Sequence, residues 1–87
     1  MKRPVVSSDL IWAAVSDVEE HMRKTLLDKG DGAFASTHEM LGTITEEYQE
    51  LIEAVRHNNP GQVKQELKDL AVLTVFSIAC LKLMEIT

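Results

Sequence analysis

The chain has 87 residues, of which 45% are hydrophobic, and its formal net charge at neutral pH is −5. This length indicates one domain, residues 1–87, and the absence of a basic stripe argues against binding to a nucleic-acid polymer. The longest strongly apolar stretch, residues 70–81, is too short to cross a bilayer, and no signal-peptide pattern is visible, so we expect a cytoplasmic protein without a membrane partner.

The first predicted helix extends from about Asp9 to Asp28. Ser7 or Ser8 can cap its N-terminus, because a serine side chain accepts a hydrogen bond from the first turn. Apolar residues recur at intervals of three or four and predict an amphipathic helix: Ile11, Val15, Val18, Met22 and Leu26. A loop with two glycines should follow, as far as Ala35.

The second predicted helix begins at Ser36 and ends near His57. Ser36 and Glu39 have the spacing of a capping box, in which each residue satisfies a backbone amide of the other. The apolar stripe of this helix is predicted to comprise Leu41, Ile44, Tyr48, Leu51, Ile52 and Val55. Gly42 should weaken the helix by about 1 kcal/mol relative to alanine, unless close packing requires its missing side chain.

The third predicted helix runs from Pro60 toward Met84, with Asn59 as its N-cap. The short connection to the second helix makes the two antiparallel neighbours. From Leu70 onward this helix is apolar on nearly every face, which indicates burial on all sides and a buried thiol at Cys80. Because a lone hairpin cannot hide so much apolar surface, we expect an all-α helical bundle of three main helices per subunit, completed by oligomerisation.

Acidic side chains on the second and third helices occur in two pairs with a spacing of three residues. Glu47 lies beside the predicted apolar stripe, and Glu50 lies on the same flank of the helix. Glu66 and Asp69 share a face of the third helix. Glu46, by contrast, points nearly away from the stripe.

The two acidic pairs should also lie at similar heights in the hairpin. Their midpoints are about 11 residues before and about 8 residues after the turn, which corresponds to a difference of roughly 4–5 Å. Four carboxylates at one level repel each other unless some are protonated or a cation lies between them. Oxygen ligands without histidine or cysteine favour Mg²⁺, Mn²⁺ or Ca²⁺. Leu73, Phe76 and Cys80 continue the flank of Glu66 and Asp69 and predict an apolar groove, and an all-carboxylate site beside such a groove indicates phosphate-ester or phosphoanhydride chemistry.

The residues Glu46-Glu47-Tyr48-Gln49-Glu50, followed after fifteen residues by Glu66-Leu67-Lys68-Asp69, resemble the EExxE…ExxD motif of the MazG-like all-α NTP pyrophosphatase superfamily. The resemblance extends from about Lys29 to Phe76. It implies a house-cleaning enzyme that hydrolyses (d)NTP to (d)NMP and pyrophosphate with Mg²⁺, or with Mn²⁺ as a substitute, as a homodimer or homotetramer. It also implies metal ligands at Glu47, Glu50, Glu66 and Asp69, and catalytic carboxylates at Glu46, Glu47 and Glu50, with the role of Glu46 left open.

Four further residues are candidates for substrate binding, each with a structural alternative. Lys29 could contact a phosphate or the C-terminal end of the first helix, and His38 could act in catalysis or lie on the surface. Phe76 could stack on a base or pack in the core, and Trp12 could form a base platform or an interface anchor. Two other functions stay open: a relative dedicated to dUTP, dCTP or phosphoribosyl-ATP, and a non-catalytic helical oligomerisation module that binds divalent ions.

Overall fold

A computed structural model describes residues 2–86, and for residue 86 it describes the backbone alone. The chain forms three α-helices, α1 (Ser8–Lys29), α2 (Thr37–Arg56) and α3 (Pro60–Ile86), and the described residues contain no strand. The predicted all-α class with three main helices is therefore confirmed. Within the described range, none of the helices combines the length and the apolar character needed to cross a membrane.

The starts of the helices follow from their capping residues. Ser7, Ser36 and Asn59 each accept a hydrogen bond from the backbone N–H three residues later, at 3.2, 3.2 and 3.1 Å. Each cap satisfies an amide that the helix itself leaves without an acceptor. Ser36 is thus the cap of α2 and not its first helical residue, and the predicted boundaries differ from the observed ones by no more than about two residues.

Helix α3 lies at the centre of the fold, because both α1 and α2 pack against it. A three-residue connection joins α2 to α3, and Asn58 in that connection has a positive φ of 52°. Asparagine tolerates this left-handed conformation better than most residues do, which permits the tight reversal. The predicted pairing of α2 with α3 is confirmed.

The buried face of α2 is rotated from the predicted one. Three residues assigned to the apolar stripe, Leu41, Tyr48 and Val55, are 54–60% exposed. The residues that face α3 instead follow one another at intervals of four and three: Met40, Ile44, Glu47, Leu51 and Ala54. Glu47 does lie beside the stripe residues Ile44 and Leu51, but because Leu41, Tyr48 and Val55 are exposed it is at the centre of the buried face and not at its edge.

A single chain leaves much of its apolar surface in contact with solvent. Within α3, Val72 and Cys80 are buried, which agrees with the prediction for the thiol, but Val75 and Ile78 are 50% and 55% exposed. No residue of α1 is buried. The prediction that α3 is buried on all sides is thus not met within one chain, because α1 and α2 cover only part of its circumference.

Candidate active site

Three carboxylates meet where α2 faces α3. One oxygen from each of Glu47, Glu66 and Asp69 lies within 4.8 Å of the others; we call these residues the carboxylate cluster. Glu47 points toward α3 because it occupies the centre of the buried face of α2. Glu66 and Asp69 are less than one turn apart on α3, so both can face Glu47.

Two oxygens of this cluster are buried without a hydrogen-bond partner. Glu66 is only 6% exposed, and its Oε2 atom and that of Glu47 have no partner within the described part of the chain. Buried carboxylate oxygens are costly unless a donor or a cation satisfies them. A divalent cation that prefers oxygen ligands, such as Mg²⁺ or Mn²⁺, fits this donor set.

The same crowding changes the acidity of Glu47. Burial, followed by the negative charges of Glu50 and Asp69 and the contact with Glu66, raises the pKa of Glu47 from 4.5 to about 7. Without a cation, the Glu47 carboxyl is therefore partly protonated near neutral pH. A bound cation would compete with this proton for the same oxygens.

Nitrogen donors hold the two cluster residues of α3. His21 Nε2 lies 2.5 Å from Asp69 Oδ1, and Gln65 Nε2 donates to the same oxygen at 3.1 Å. Gln62 Nε2 donates to Glu66 Oε1 from one turn earlier. Sequence reasoning did not single out His21, although a signal was present: it is a polar residue on the inward face of α1, three residues after Val18.

A cavity of about 540 Å³ opens beside the carboxylate cluster. Glu47 and Asp69 form part of its wall, and Lys24 and Lys29 lie on its α1 side. The remaining wall is largely apolar, and its chief apolar residues are Met22, Leu26, Phe34, Val72, Leu73 and Phe76. The rings of Phe34 and Phe76 meet edge to face, with centroids 5.7 Å apart and planes at 77°.

The structure brings some of the predicted site residues together and leaves others apart. Glu50 and Glu46 are exposed and line a separate surface concavity on the outer side of α2. Lys29 and Phe76 line the cavity, whereas His38 and Trp12 are exposed and are not among its lining residues. The close group thus contains three of the four predicted metal ligands.

Antiparallel helices with a partly buried carboxylate cluster beside a largely apolar cavity define a class: an all-α protein with a candidate site for a hard divalent cation. The family model for the MazG nucleotide pyrophosphohydrolase domain matches residues 35–86. Because the match covers more than half of the chain, the protein belongs to this family. The resemblance to the MazG-like superfamily that the sequence motif indicated is therefore confirmed. No curated protein and no solved structure matches the chain. The matched segment contains α2, α3 and the whole carboxylate cluster, but not His21.

Proposed function

We propose that this chain, as a single domain of residues 1–87, is a Mg²⁺-dependent nucleoside triphosphate pyrophosphohydrolase that converts (d)NTP and water to (d)NMP and pyrophosphate. The observation that carries the proposal is the carboxylate cluster at the wall of a largely apolar cavity. Membership of the MazG family supports the same reaction class. The cluster suits a metal-bound phosphate chain, and the cavity suits a nucleoside.

Glu47, Glu66 and Asp69 would hold the cation, and Mn²⁺ would replace Mg²⁺ because both prefer oxygen ligands. Glu50 would complete the set from the edge, since it lies only roughly 60° round α2 from Glu47. Its charge already acts on Glu47 and raises the pKa of that carboxyl. When bound, the cation would neutralise charge on the triphosphate and align it for in-line attack.

The chain's own groups would handle the proton and the leaving group. A water attacks the α-phosphorus, its proton passes to Glu47 or Glu50, and the bond from the α-phosphorus to the bridging oxygen breaks. The pKa of about 7 for Glu47 belongs to the metal-free site, and a bound cation would lower it. The base would therefore be whichever of these two carboxylates keeps an oxygen free of the cation. Lys29, which lines the cavity, would balance the charge of the departing pyrophosphate, and Lys24 would do so only after leaving its exposed ion pair with Glu20.

Glu46 stays a predicted catalytic residue on the strength of the family motif alone. It is exposed and lies roughly 100° round α2 from Glu47, so it would act at the outer side of the site. Lys29 and Phe76 stay substrate-binding candidates on the cavity wall. His38 and Trp12 would need a surface that a second copy of the chain completes.

A screen with canonical and damaged (d)NTPs in Mg²⁺ and ¹⁸O-labelled water tests the reaction. Attack at the α-phosphorus places the label in the nucleoside monophosphate and releases pyrophosphate without label. Orthophosphate as the primary product, or label in pyrophosphate, would exclude the proposed mechanism. Turnover of only dUTP, dCTP or phosphoribosyl-ATP would identify a relative dedicated to that substrate. If no nucleotide yields pyrophosphate, the alternative of a non-catalytic helical module that binds divalent ions would be favoured.

Variants of the cluster connect the reaction to its residues. We expect Asp69→Asn and Glu66→Gln each to lower the rate of pyrophosphate release on the order of 10²–10³-fold, since each removes a negative charge that would hold the cation, and the cation would stabilise the transition state. Glu53→Gln is the matched control, because Glu53 is an exposed carboxylate on α2 that lies outside the cluster. Wild-type rates in both cluster variants, with helix content intact by circular dichroism, would contradict the assignment.

We also propose that the chain works as a homodimer or homotetramer. On the side of α3 away from the cluster, five residues follow one another at intervals of four and three, as in a heptad repeat. We call them the outer stripe of α3: Leu67, Ala71, Thr74, Ile78 and Leu81. Leu67, Ile78 and Leu81 are 50%, 55% and 41% exposed in the single chain. A second copy of the chain would cover such a stripe by packing helix against helix.

A further inference from the structure

We propose that His21 is a positioning residue for the metal site: it orients the Asp69 carboxylate toward the carboxylate cluster and so makes α1 part of the site. The inference rests on the proposed cation site. His21 lies outside the segment that the family match covers, and it is not among the three residues whose oxygens converge.

The contact between His21 and Asp69 is short and directional. A carboxylate oxygen can only accept, so at 2.5 Å from Asp69 Oδ1 the Nε2 atom of His21 carries the proton. Gln65 donates to the same oxygen from the preceding turn of α3, at 3.1 Å. Two donors on one oxygen set the rotation of the carboxylate, and neither of them uses Oδ2.

The two donors differ in what they can control. Gln65 is on the same helix as Asp69, so its donor moves with α3 and sets only the local rotamer. His21 reaches Asp69 from a helix 48 residues earlier in the chain, and both side chains are largely shielded, at 23% and 28% exposure. Only the His21 contact therefore joins the position of the carboxylate to the docking of α1 on α3.

This docking also bounds the cavity. His21, Thr25 and Lys29 follow one another at intervals of four along α1, and all three line the cavity. The Thr25 hydroxyl donates to the His21 backbone carbonyl at 2.8 Å, inside the helix. A donor that holds Asp69 from α1 thus fixes the lysine-bearing wall of the cavity at the same time. Groups that orient ligating side chains in this way typically change metal affinity about 10–100-fold when removed.

Binding of Mn²⁺ alone to the full chain, followed by the electron paramagnetic resonance signal of free Mn²⁺, tests the inference without turnover. We expect His21→Leu, which keeps bulk but removes the donor, to raise the Kd for Mn²⁺ about 10–100-fold. His21→Gln places an amide N–H at a similar reach, so it should restore affinity to within about threefold of the wild type. His57→Leu is the matched control, because His57 faces a carboxylate, Glu53, outside the cluster, at 4.0 Å.

Each outcome decides the inference. Wild-type or tighter binding by His21→Leu would overturn it, and tighter binding would mean that His21 competes with the cation. An equal loss of Mn²⁺ affinity in His21→Leu and His21→Gln would overturn it too, because it would mean that His21 acts through packing and not through its N–H donor. If His21→Leu fails to fold, His21→Asn takes its place: its shorter amide should lose affinity that His21→Gln retains, and equal affinities would overturn the inference. A wild type that binds no Mn²⁺ would overturn the proposed metal site as well, which distinguishes that failure from a failure of His21 alone.

Discussion

Glu47 occupies a helical position that an apolar side chain would normally fill, midway between Ile44 and Leu51 on the face that α2 turns to α3. Burying a carboxyl there lowers stability unless the group is protonated or bound to a cation. An acid stands at this position nevertheless, and its Oε2 atom has no hydrogen-bond partner among residues 2–86 as described. Stability of the metal-free chain and binding of the proposed cation would therefore make opposite demands on this residue.

The direction of the pH dependence follows from the pKa. In the folded chain the pKa of Glu47 is raised from 4.5 to about 7, so between these values the folded state binds more protons than the unfolded state. Stability therefore falls as pH rises from about 4.5 to about 7 and stays lower above that range. Glu47→Gln removes this loss, so in EDTA at pH 8 the variant should melt at a higher temperature than the wild type, with the gain vanishing near pH 4.

Thermal melts followed by circular dichroism check this prediction, with Glu53→Gln as the control for removal of an exposed charge. Excess Mg²⁺ should raise the melting temperature of the wild type but not of Glu47→Gln, because only the folded wild type retains the full ligand set. A variant that melts below the wild type at pH 8 in EDTA would show that Glu47 stabilises the fold through contacts and not through its proton.

Cation affinity should also depend on pH through the same residue. Because a proton and a cation compete for the Glu47 carboxyl, Mn²⁺ should bind more tightly at pH 8 than at pH 6, with release of a proton on binding. Calorimetric titrations in two buffers of different ionisation enthalpy measure that proton. Glu47→Gln should bind weakly at both pH values, and equal wild-type affinity at pH 6 and 8 would contradict the raised pKa.

At the scale of single elements, the backbone conformation favours glycine at position 30 but not at position 42. Gly30 follows α1 with φ 81°, a left-handed conformation that a side chain disfavours, and its N–H caps the Leu26 carbonyl. Gly42 lies inside α2 and is exposed, and, apart from its two neighbours and the nearby backbone of α2, no described atom lies within 4 Å of the place where a Cβ would be. Among the described residues, therefore, nothing packs closely enough against Gly42 to require its missing side chain.

Replacing each glycine with alanine should therefore change stability in opposite directions. Gly42→Ala should raise the free energy of unfolding by about 1 kcal/mol, because alanine restricts the unfolded chain and favours helix. Gly30→Ala should lower it by about 1 kcal/mol, because alanine disfavours positive φ. Urea unfolding followed by circular dichroism measures both. A destabilised Gly42→Ala would instead indicate that a second copy packs closely against α2 at this position.

At the scale of the whole molecule, one chain exposes more surface than a folded monomer of its mass typically does. Its accessible surface is 7066 Å², whereas a folded monomer of 9.7 kDa typically exposes about 5,100 Å². Its radius of gyration is 15.0 Å, against roughly 12 Å for a compact domain of this length. The excess of about 2,000 Å² exceeds the roughly 800 Å² that each partner buries in a standard interface, which supports the proposed association without selecting the face that it uses.

A charge placed in the middle of that stripe should dissociate the assembly. Ile78 is 55% exposed in the single chain, so Ile78→Lys leaves the internal packing of the chain nearly unchanged but would bury a charge in the proposed interface. Sedimentation velocity should show an oligomer for the wild type and a smaller species for the variant. Thr45→Lys, at an exposed position of α2, is the control. A wild type that sediments as a stable monomer would contradict the association.

The sequence by itself determined the helix count, the helix ends, the α2–α3 pairing and the carboxylate motif. These depend on local chemistry: Ser7, Ser36 and Asn59 accept from amides three residues away, and a turn of three residues forces its two helices together. Only the tertiary structure decided which flank of α2 is buried, because the rotation of a helix depends on the neighbour it packs against. That rotation put Glu47 at the centre of the buried face and left Glu50 exposed. The local pattern of α1 shows that His21 faces inward, but only the packing of α1 on α3 decides that it contacts Asp69, 48 residues later.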